Sequence, residues 1–183
     1  MYYYILDSQN QSLPEYERLQ IELQGLIAEF NIAGEVGRIT TLRTMKDLVE
    51  TAKQRGAKTI VACGNDDTFD LMLALIQGTD FTFGFVPFDQ KSYLAKMLGI
   101  DSLRTAIKTI AARRIEKIDV GVVNGHHFIS FLQFGATSEQ IESLRWWNSL
   151  QFISGLKPHS IQVRIDDSYT ITSPSLMGII TNT

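Results

Sequence analysis

The chain has 183 residues, of which 44% are hydrophobic and 10% aromatic, so it can bury a full core and is not expected to be disordered. The net charge of -3 gives no overall attraction to nucleic acid, and no nucleic-acid partner is expected. A single cysteine, Cys63, excludes an internal disulfide framework and a cysteine-based zinc site. No apolar run approaches the ~20 residues of a membrane span, and the N-terminus has no signal-peptide pattern. We therefore expect a cytoplasmic protein without a transmembrane segment.

Strands alternate with helices through the first 115 residues. The clearest unit is a buried strand over 59–63, followed by a turn and an apolar helix that begins near Thr68. Alternation at this spacing predicts an α/β fold with a doubly wound parallel sheet. In chain order, the predicted elements are a strand over 2–6, a helix over 15–30, a strand over 35–40, a helix over 45–55, the strand over 59–63 with its helix, a strand over 81–86, a helix through residue 98 and a helix over 103–113.

After residue 116 the pattern predicts a short antiparallel β region with one helix, over 139–150. Asn124-Gly125 is typical of a two-residue hairpin turn. We therefore place an α/β nucleotide-binding-like domain over 1–115 and a partial β-sandwich over 116–183. Open strand edges, together with Trp146 and Trp147 on the predicted helix, favour a homo-oligomer. The predicted strands cover 118–123, 128–134, 160–165, 169–171 and 177–180.

The turn over residues 64–68 is the strongest candidate for a binding site. In an open α/β sheet, ligands bind at the carboxyl ends of the strands, and the N-terminus of the following helix suits phosphate. The alternative is an ordinary strand-to-helix turn, in which Asp66 or Asp67 caps the helix and Asp67 forms a weak capping box with Asp70. The sequence leaves both interpretations open.

Three motifs in order resemble the diacylglycerol kinase-like lipid kinases, whose catalytic domain is related to NAD kinases and phosphofructokinases. The family's Gly-Gly-Asp-Gly-Thr loop corresponds to residues 64–68, GNDDT. Its Pro-x-Gly-Thr-x-Asn-Asp-Phe-Ala-Arg-x-Leu-Gly-Ile segment is similar to residues 87–100, PFDQKSYLAKMLGI. Its Ile-Asp-x-Gly-x-Val-Asn-Gly-x-x-Phe motif is similar to residues 118–128, IDVGVVNGHHF. The resemblance covers nearly the whole chain.

The resemblance implies ATP and Mg²⁺ as cofactors and a lipid hydroxyl as the substrate group, with a cytoplasmic protein that can be peripheral at a membrane. Asp66 and Asp67 would hold the metal ion. Thr40 and Thr41 match a family threonine that contacts nucleotide, although an ordinary turn residue is the alternative at either position. The residues that the resemblance implies for nucleotide binding are Gly64, Asn65, Asp66, Asp67, Thr68, Thr41 and Gln90.

Several residues depart from the family pattern. Asp67 replaces a loop glycine and adds a negative charge where the family leaves room for phosphate. At ~4 Å and an effective dielectric of about 20, each like-charge pair costs on the order of 4 kcal/mol, unless Mg²⁺ lies between the charges. Asp89 and Gln90 replace the Gly-Thr of the second motif. The family's acidic general base is expected to have no counterpart before Thr183, and we predict no catalytic residue.

Three functions remain open from the sequence. The first is a diverged diacylglycerol kinase-like protein with an ATP-binding scaffold and weak or no phosphotransfer. The second is an active ATP-dependent lipid kinase in which Asp66 and Asp67 hold magnesium. The third is a non-enzymatic interaction or oligomerisation module that uses the β region as an interface.

Overall fold

The computed structural model describes residues 1–8, 11–89, 91–129, 131–135, 159–166 and 168–182. These divide into two compact units. The first consists of Met1–Ile118 and Gly125–His127, and the second consists of Asp119–Asn124 and the described part of 128–183.

The first unit is a four-stranded parallel sheet with the strand order β2-β1-β3-β4, which confirms the predicted α/β fold. The central strands are the most apolar, and all six residues of β3 are buried, as expected for a parallel sheet covered on both faces. The elements in chain order are β1 (Tyr2–Leu6), α1 (Leu13–Glu29), β2 (Gly34–Arg38), α2 (Met45–Gln54), β3 (Thr59–Gly64), α3 (Asp66–Ile76), β4 (Thr82–Pro87), α4 (Tyr93–Met97) and α5 (Leu103–Ala111).

Helices cover both faces of this sheet. Alternate strand residues such as Tyr4 and Val61 pack with α1 and α5 in one hydrophobic cluster. On the other face, Leu48 of α2 lies against the backbone of Gly37 in β2, and Phe69 of α3 packs on Phe85 of β4. Strand alternation thus gives a core on each side and leaves the two ends of the sheet for loops.

After residue 118 the chain forms short antiparallel pairs, as the sequence predicted. β7 pairs with β10 and β8 pairs with β9. The Asn124-Gly125 hairpin is confirmed, since both residues have positive φ, 50° and 81°, as a type I′ turn requires. The strand predicted over 128–134 is observed as β7 from Phe131, while Phe128 ends the preceding strand β6. The strands are β5 (Gly121–Val123), β6 (His126–Phe128), β7 (Phe131–Gly135), β8 (His159–Ile165), β9 (Tyr169–Ser175) and β10 (Met177–Thr181).

The helix predicted over 139–150, together with Trp146 and Trp147, lies outside the described residues. The interface role suggested for the two tryptophans therefore stays a prediction.

Candidate functional site

The candidate site is the carboxyl edge of the parallel sheet. Since all four strands run in the same direction, the loops that follow them meet at this edge. Asp7 follows β1, Thr40 and Thr41 follow β2, and Asn65 follows β3. The loop after β4 leads into α4. The topology therefore brings most of the sequence-predicted site residues to one edge.

Asn65 caps helix α3. Its Oδ1 accepts a hydrogen bond from the backbone N–H of Thr68 at 2.9 Å, and its own N–H donates to Thr68 Oγ1 at 3.1 Å. This reciprocal pair is a capping box, so the prediction that Asp66 or Asp67 caps the helix is wrong. Asn65 has extended backbone with a φ of -96°, and the left-handed conformation that a loop glycine permits is not used here.

Gly64 allows Thr68 to approach the strand closely. A Cβ at Gly64 would lie 2.3 Å from Thr68 Oγ1, far inside van der Waals contact. That hydroxyl also lies 2.9 Å from Oδ2 of Asp7, and Thr68 and Asp7 are only 2% and 6% exposed. Gly64 and Thr68 therefore form part of a buried polar network that joins the ends of β1 and β3. Their local role is accounted for by packing.

Asp66 binds the start of α4. Its Oδ2 accepts hydrogen bonds from the N–H groups of Tyr93, at 2.9 Å, and Leu94, at 3.4 Å, while its Oδ1 accepts one from the hydroxyl of Ser92. Ser92 in turn accepts from the N–H of Ala95 at 2.9 Å. A carboxylate at the N-terminus of a helix satisfies donors that have no partner within the helix. Both oxygens of Asp66 are thus engaged by the protein itself.

Asp67 and Asp70 continue an acidic surface along the first turns of α3. Asp67 is exposed, and its Oδ2 lies 3.5 Å from the side-chain amide of Asn65. Burial raises the pKa of Asp70, and the negative charges of Asp66 and Asp67 raise it further. The helix N-terminus that would attract a phosphate therefore carries three carboxylates, those of Asp66, Asp67 and Asp70.

The remaining predicted contacts lie farther along the same edge. Thr40 pairs with Arg43 in a tight turn, with backbone N–O distances of 3.0 and 3.2 Å, and Thr41 is exposed within that turn. Asp89 accepts from the N–H of Lys91 at 2.8 Å and so stabilises its own loop. Gln90 lies outside the described residues.

The metal interpretation rests on Asp66 and Asp67 alone. Within the described ranges, no three His, Cys, Asp or Glu side chains are grouped so as to hold a metal ion. Mg²⁺ is commonly bound by one or two carboxylates together with substrate phosphates, and the exposed Asp67 fits that pattern better than Asp66, which faces α4.

Burial raises the pKa of the Cys63 thiol well above its usual range, which agrees with an inert thiol.

Sequence reasoning missed the contact between Asp66 and α4. Ser92, three residues before Ala95, is a recognisable helix N-cap signal. Its link to Asp66 spans 26 positions, and neither local propensity nor the family motif indicates it.

Comparison with known proteins gives the family. The family model described as the diacylglycerol kinase catalytic domain matches residues 15–123. A comparison with curated proteins finds no similar sequence. None of the helices in the described part of the chain is long and apolar enough to cross a membrane.

Three solved structures from Bacillus anthracis str. Sterne, one described as a diacylglycerol kinase and two provisionally so, have TM-scores of 0.73, 0.69 and 0.74 at 14% identity. Each similarity covers 99% of this chain but only 64%, 63% and 65% of the other chain. This chain thus spans less than two-thirds of the length of these structures. At such low identity the likeness shows the fold.

The matched residues 15–123 run from α1 through β5 and make up more than half of the chain, so the chain belongs to the diacylglycerol kinase catalytic domain family.

Proposed function

We propose that this protein is a diverged member of its family that keeps the nucleotide-binding scaffold but binds ATP weakly and transfers phosphate poorly. The observation that carries the proposal is the start of α3, where the exposed carboxylate of Asp67 lies beside a capped helix N-terminus. The proposal concerns the strand-end loops of the first unit, which are the loops that bind ligands in sheets of this kind.

Electrostatics is the first support. Asp66, Asp67 and Asp70 lie within five residues at the N-terminus of α3. A triphosphate at this helix end would face the exposed carboxylate of Asp67 as well as the positive end of the helix dipole, which is equivalent to only about half a charge. Each like-charge pair at ~4 Å costs on the order of 4 kcal/mol at an effective dielectric of about 20. Mg²⁺ shared with Asp67 would offset part of this repulsion.

The backbone donors are the second support. Phosphate loops bind their ligand through N–H groups that point out of the loop. Here the N–H of Asn65 donates to Thr68 Oγ1, and the N–H of Thr68 donates to Asn65 Oδ1. Nucleotide would have to compete with these internal bonds, which lowers its affinity.

An interaction module is the second candidate function. Ile179 and Ile180 are neighbours on β10, so they point to opposite faces of the strand, and they are 53% and 50% exposed. A strand that is apolar on both faces favours a further β layer, which a second copy of the chain would supply. Sedimentation of wild type and Ile179→Ser as a function of concentration tests this homo-oligomer.

Thermal unfolding with and without Mg-ATP tests the first proposal. A ligand at 100 times its dissociation constant adds about 2.7 kcal/mol to the free energy of unfolding. We expect millimolar Mg-ATP to add well under that amount, and we expect no rapid phosphate transfer to a diacylglycerol acceptor. A full stabilisation accompanied by steady lipid phosphorylation would favour the active kinase instead. No shift at all, with concentration-dependent dimerisation, would favour the interaction module.

A further inference from the structure

The outward face of α1 contains a glycine that no contact within the described chain accounts for. Among the described residues, every other glycine either has a positive φ or has atoms within 4 Å of the position that a Cβ would occupy. Gly25 has neither, although it lies inside a 17-residue helix, where glycine costs about 1 kcal/mol of stability relative to alanine. A glycine at such a position allows another segment to approach the helix backbone closely.

Gly25 belongs to an exposed line of residues along α1, the α1 seam. The seam consists of Pro14, Arg18, Ile21, Gly25 and Ala28, all of which are exposed. Alternating spacings of four and three residues place them on one side of the helix, opposite the buried leucines of α1. Ile21 is 71% exposed, so a large apolar side chain projects into solvent beside the open space above Gly25.

We propose that two copies of this chain associate through the α1 seam, with their α1 helices antiparallel. In a two-fold arrangement centred between Ile21 and Gly25, the Ile21 side chain of each copy fills the space above Gly25 of the other. Packed helices approach to about 8–10 Å depending on the side chains at the contact, and the small residues Gly25 and Ala28 favour the short end of this range.

The charges favour the antiparallel direction. Arg18 has no ion-pair partner within the described part of the chain. In the antiparallel pair, Arg18 of one copy lies beside Glu29 of the other, whose side chain is 50% exposed although it pairs with Arg104 of its own chain. Glu17 and Glu29 lie on opposite sides of the seam, so the pair does not bring these two acids together. A parallel pair would instead place the two Arg18 side chains against each other.

A second copy fits this face better than a polyanion does. A two-fold contact requires one patch to be complementary to itself, and the seam provides Ile21 for Gly25 and Arg18 for Glu29. Glu17 and Glu22 beside the seam are exposed, which disfavours a nucleic acid or an anionic lipid surface. Because one helix pair buries less area than a standard interface, we expect a weak dimer that forms as concentration is raised.

Disulfide trapping tests the direction and register of the pair. One preparation carries Ile21→Cys and the other carries Gly25→Cys, and the native Cys63 does not interfere because it is fully buried. Under mild oxidation, the mixture should form the cross-link between the two variants several-fold faster than either variant cross-links to itself. Faster cross-linking of Ile21→Cys to itself would indicate a parallel pair, and equal rates would indicate random collision. Either result would overturn the proposal.

Sedimentation over a range of concentrations tests the association without cross-linking. Nucleotide is absent, so the result does not depend on the proposed function. Ile21→Ser should raise the dissociation constant of the dimer at least about tenfold, because each copy loses a buried isoleucine. Gly25→Ala should also weaken the dimer, although it stabilises the helix of the separate chain. A role of Gly25 within one chain would not produce this combination.

Leu42→Ser and Ile179→Ser serve as matched controls, because Leu42 and Ile179 are 94% and 53% exposed and lie outside α1. Both controls should associate like the wild type. A wild type that stays monomeric at all concentrations would overturn the proposal. A dimer that is lost in Ile179→Ser but kept in Ile21→Ser would also overturn it and would indicate an interface through β10.

Discussion

At the scale of single residues, the loop after β3 resembles a phosphate loop in its amino-acid sequence, but hydrogen bonds and packing within the protein determine its conformation. Gly64 provides room for Thr68, and Thr68 bonds to the buried Asp7. Asn65 caps α3. The glycine and the threonine that match the family therefore do not by themselves indicate nucleotide binding, since the packing of the loop requires the same two residues.

Gly64→Ala should destabilise the protein. Its Cβ would meet Thr68 Oγ1 at 2.3 Å, and overpacking of this kind typically costs about 1–3 kcal/mol. Gly25→Ala is the matched control, because no atom lies within 4 Å of a Cβ at that position of α1. The control should stabilise the helix by about 0.5–1 kcal/mol. Urea unfolding of both variants measures the difference, and equal effects would contradict the packing role of Gly64.

Asp70 gives a prediction about pH. Burial and the charges of Asp66 and Asp67 raise its pKa above the usual value of an aspartate, so the folded state binds its proton more tightly than the unfolded state does. Stability should therefore fall as pH rises through the interval between the unfolded and folded pKa values, and ionised Asp70 should destabilise the fold at neutral pH.

Asp70→Asn should consequently stabilise the protein at pH 7 by about 0.2–0.5 kcal/mol for each like-charge pair removed. The gain should shrink at pH values below the unfolded pKa, where Asp70 is protonated in both states. Asp80→Asn, a loss of one exposed acid beyond the other end of α3, is the control for net charge. Chemical denaturation as a function of pH measures the effect. A gain in stability that persists below the unfolded pKa would refute a raised pKa for Asp70 in the folded state.

At the scale of elements, α4 depends on a residue from another helix. Asp66→Ala removes the acceptor for the N–H groups of Tyr93 and Leu94 and for the hydroxyl of the buried Ser92. An unsatisfied buried polar group costs about 1–3 kcal/mol. We expect faster amide hydrogen exchange in α4 and little change in β1, with Asp80→Asn as control. Unchanged protection of α4 would show that Asp66 does not hold it.

The elements of the first unit could be predicted from the sequence because they carry strong local signals. The apolar run of β3 and the leucine stripe of α1 indicate their own structure, and Pro14 marks the start of α1. The identity of the α3 cap and the pairing of Asp66 with α4 could not be predicted, since several acids and amides of the loop had similar capping propensity. The tertiary contact with Ser92 turns Asp66 toward α4.

At the scale of the whole molecule, a parallel sheet is a scaffold that retains its shape while the loops at its edge change. The fold is kept at 14% identity to solved structures, with a TM-score of 0.74 for one of them. The buried strands β1 and β3 account for this, because the core depends on mainly apolar side chains on both faces of these strands. In folds of this kind the loops carry the function, so our proposal concerns the charges of the loops rather than the sheet.

Titration of Mg-ATP into wild type, Asp67→Gly and Asp67→Asn tests the central proposal most directly. Asp67→Gly restores both the glycine of the family loop and the space for phosphate, while Asp67→Asn removes the charge but keeps the side chain. Removing the solvent-screened repulsion between Asp67 and one phosphate charge should improve the binding free energy by about 1.4 kcal/mol. The dissociation constant of Asp67→Gly for Mg-ATP should therefore fall about tenfold. Asp67→Asn should recover most of that gain, and Asp80→Asn should recover none. Tight binding by the wild type, weakened when Asp67 is replaced, would contradict the proposal and identify Asp67 as a magnesium ligand of an active site.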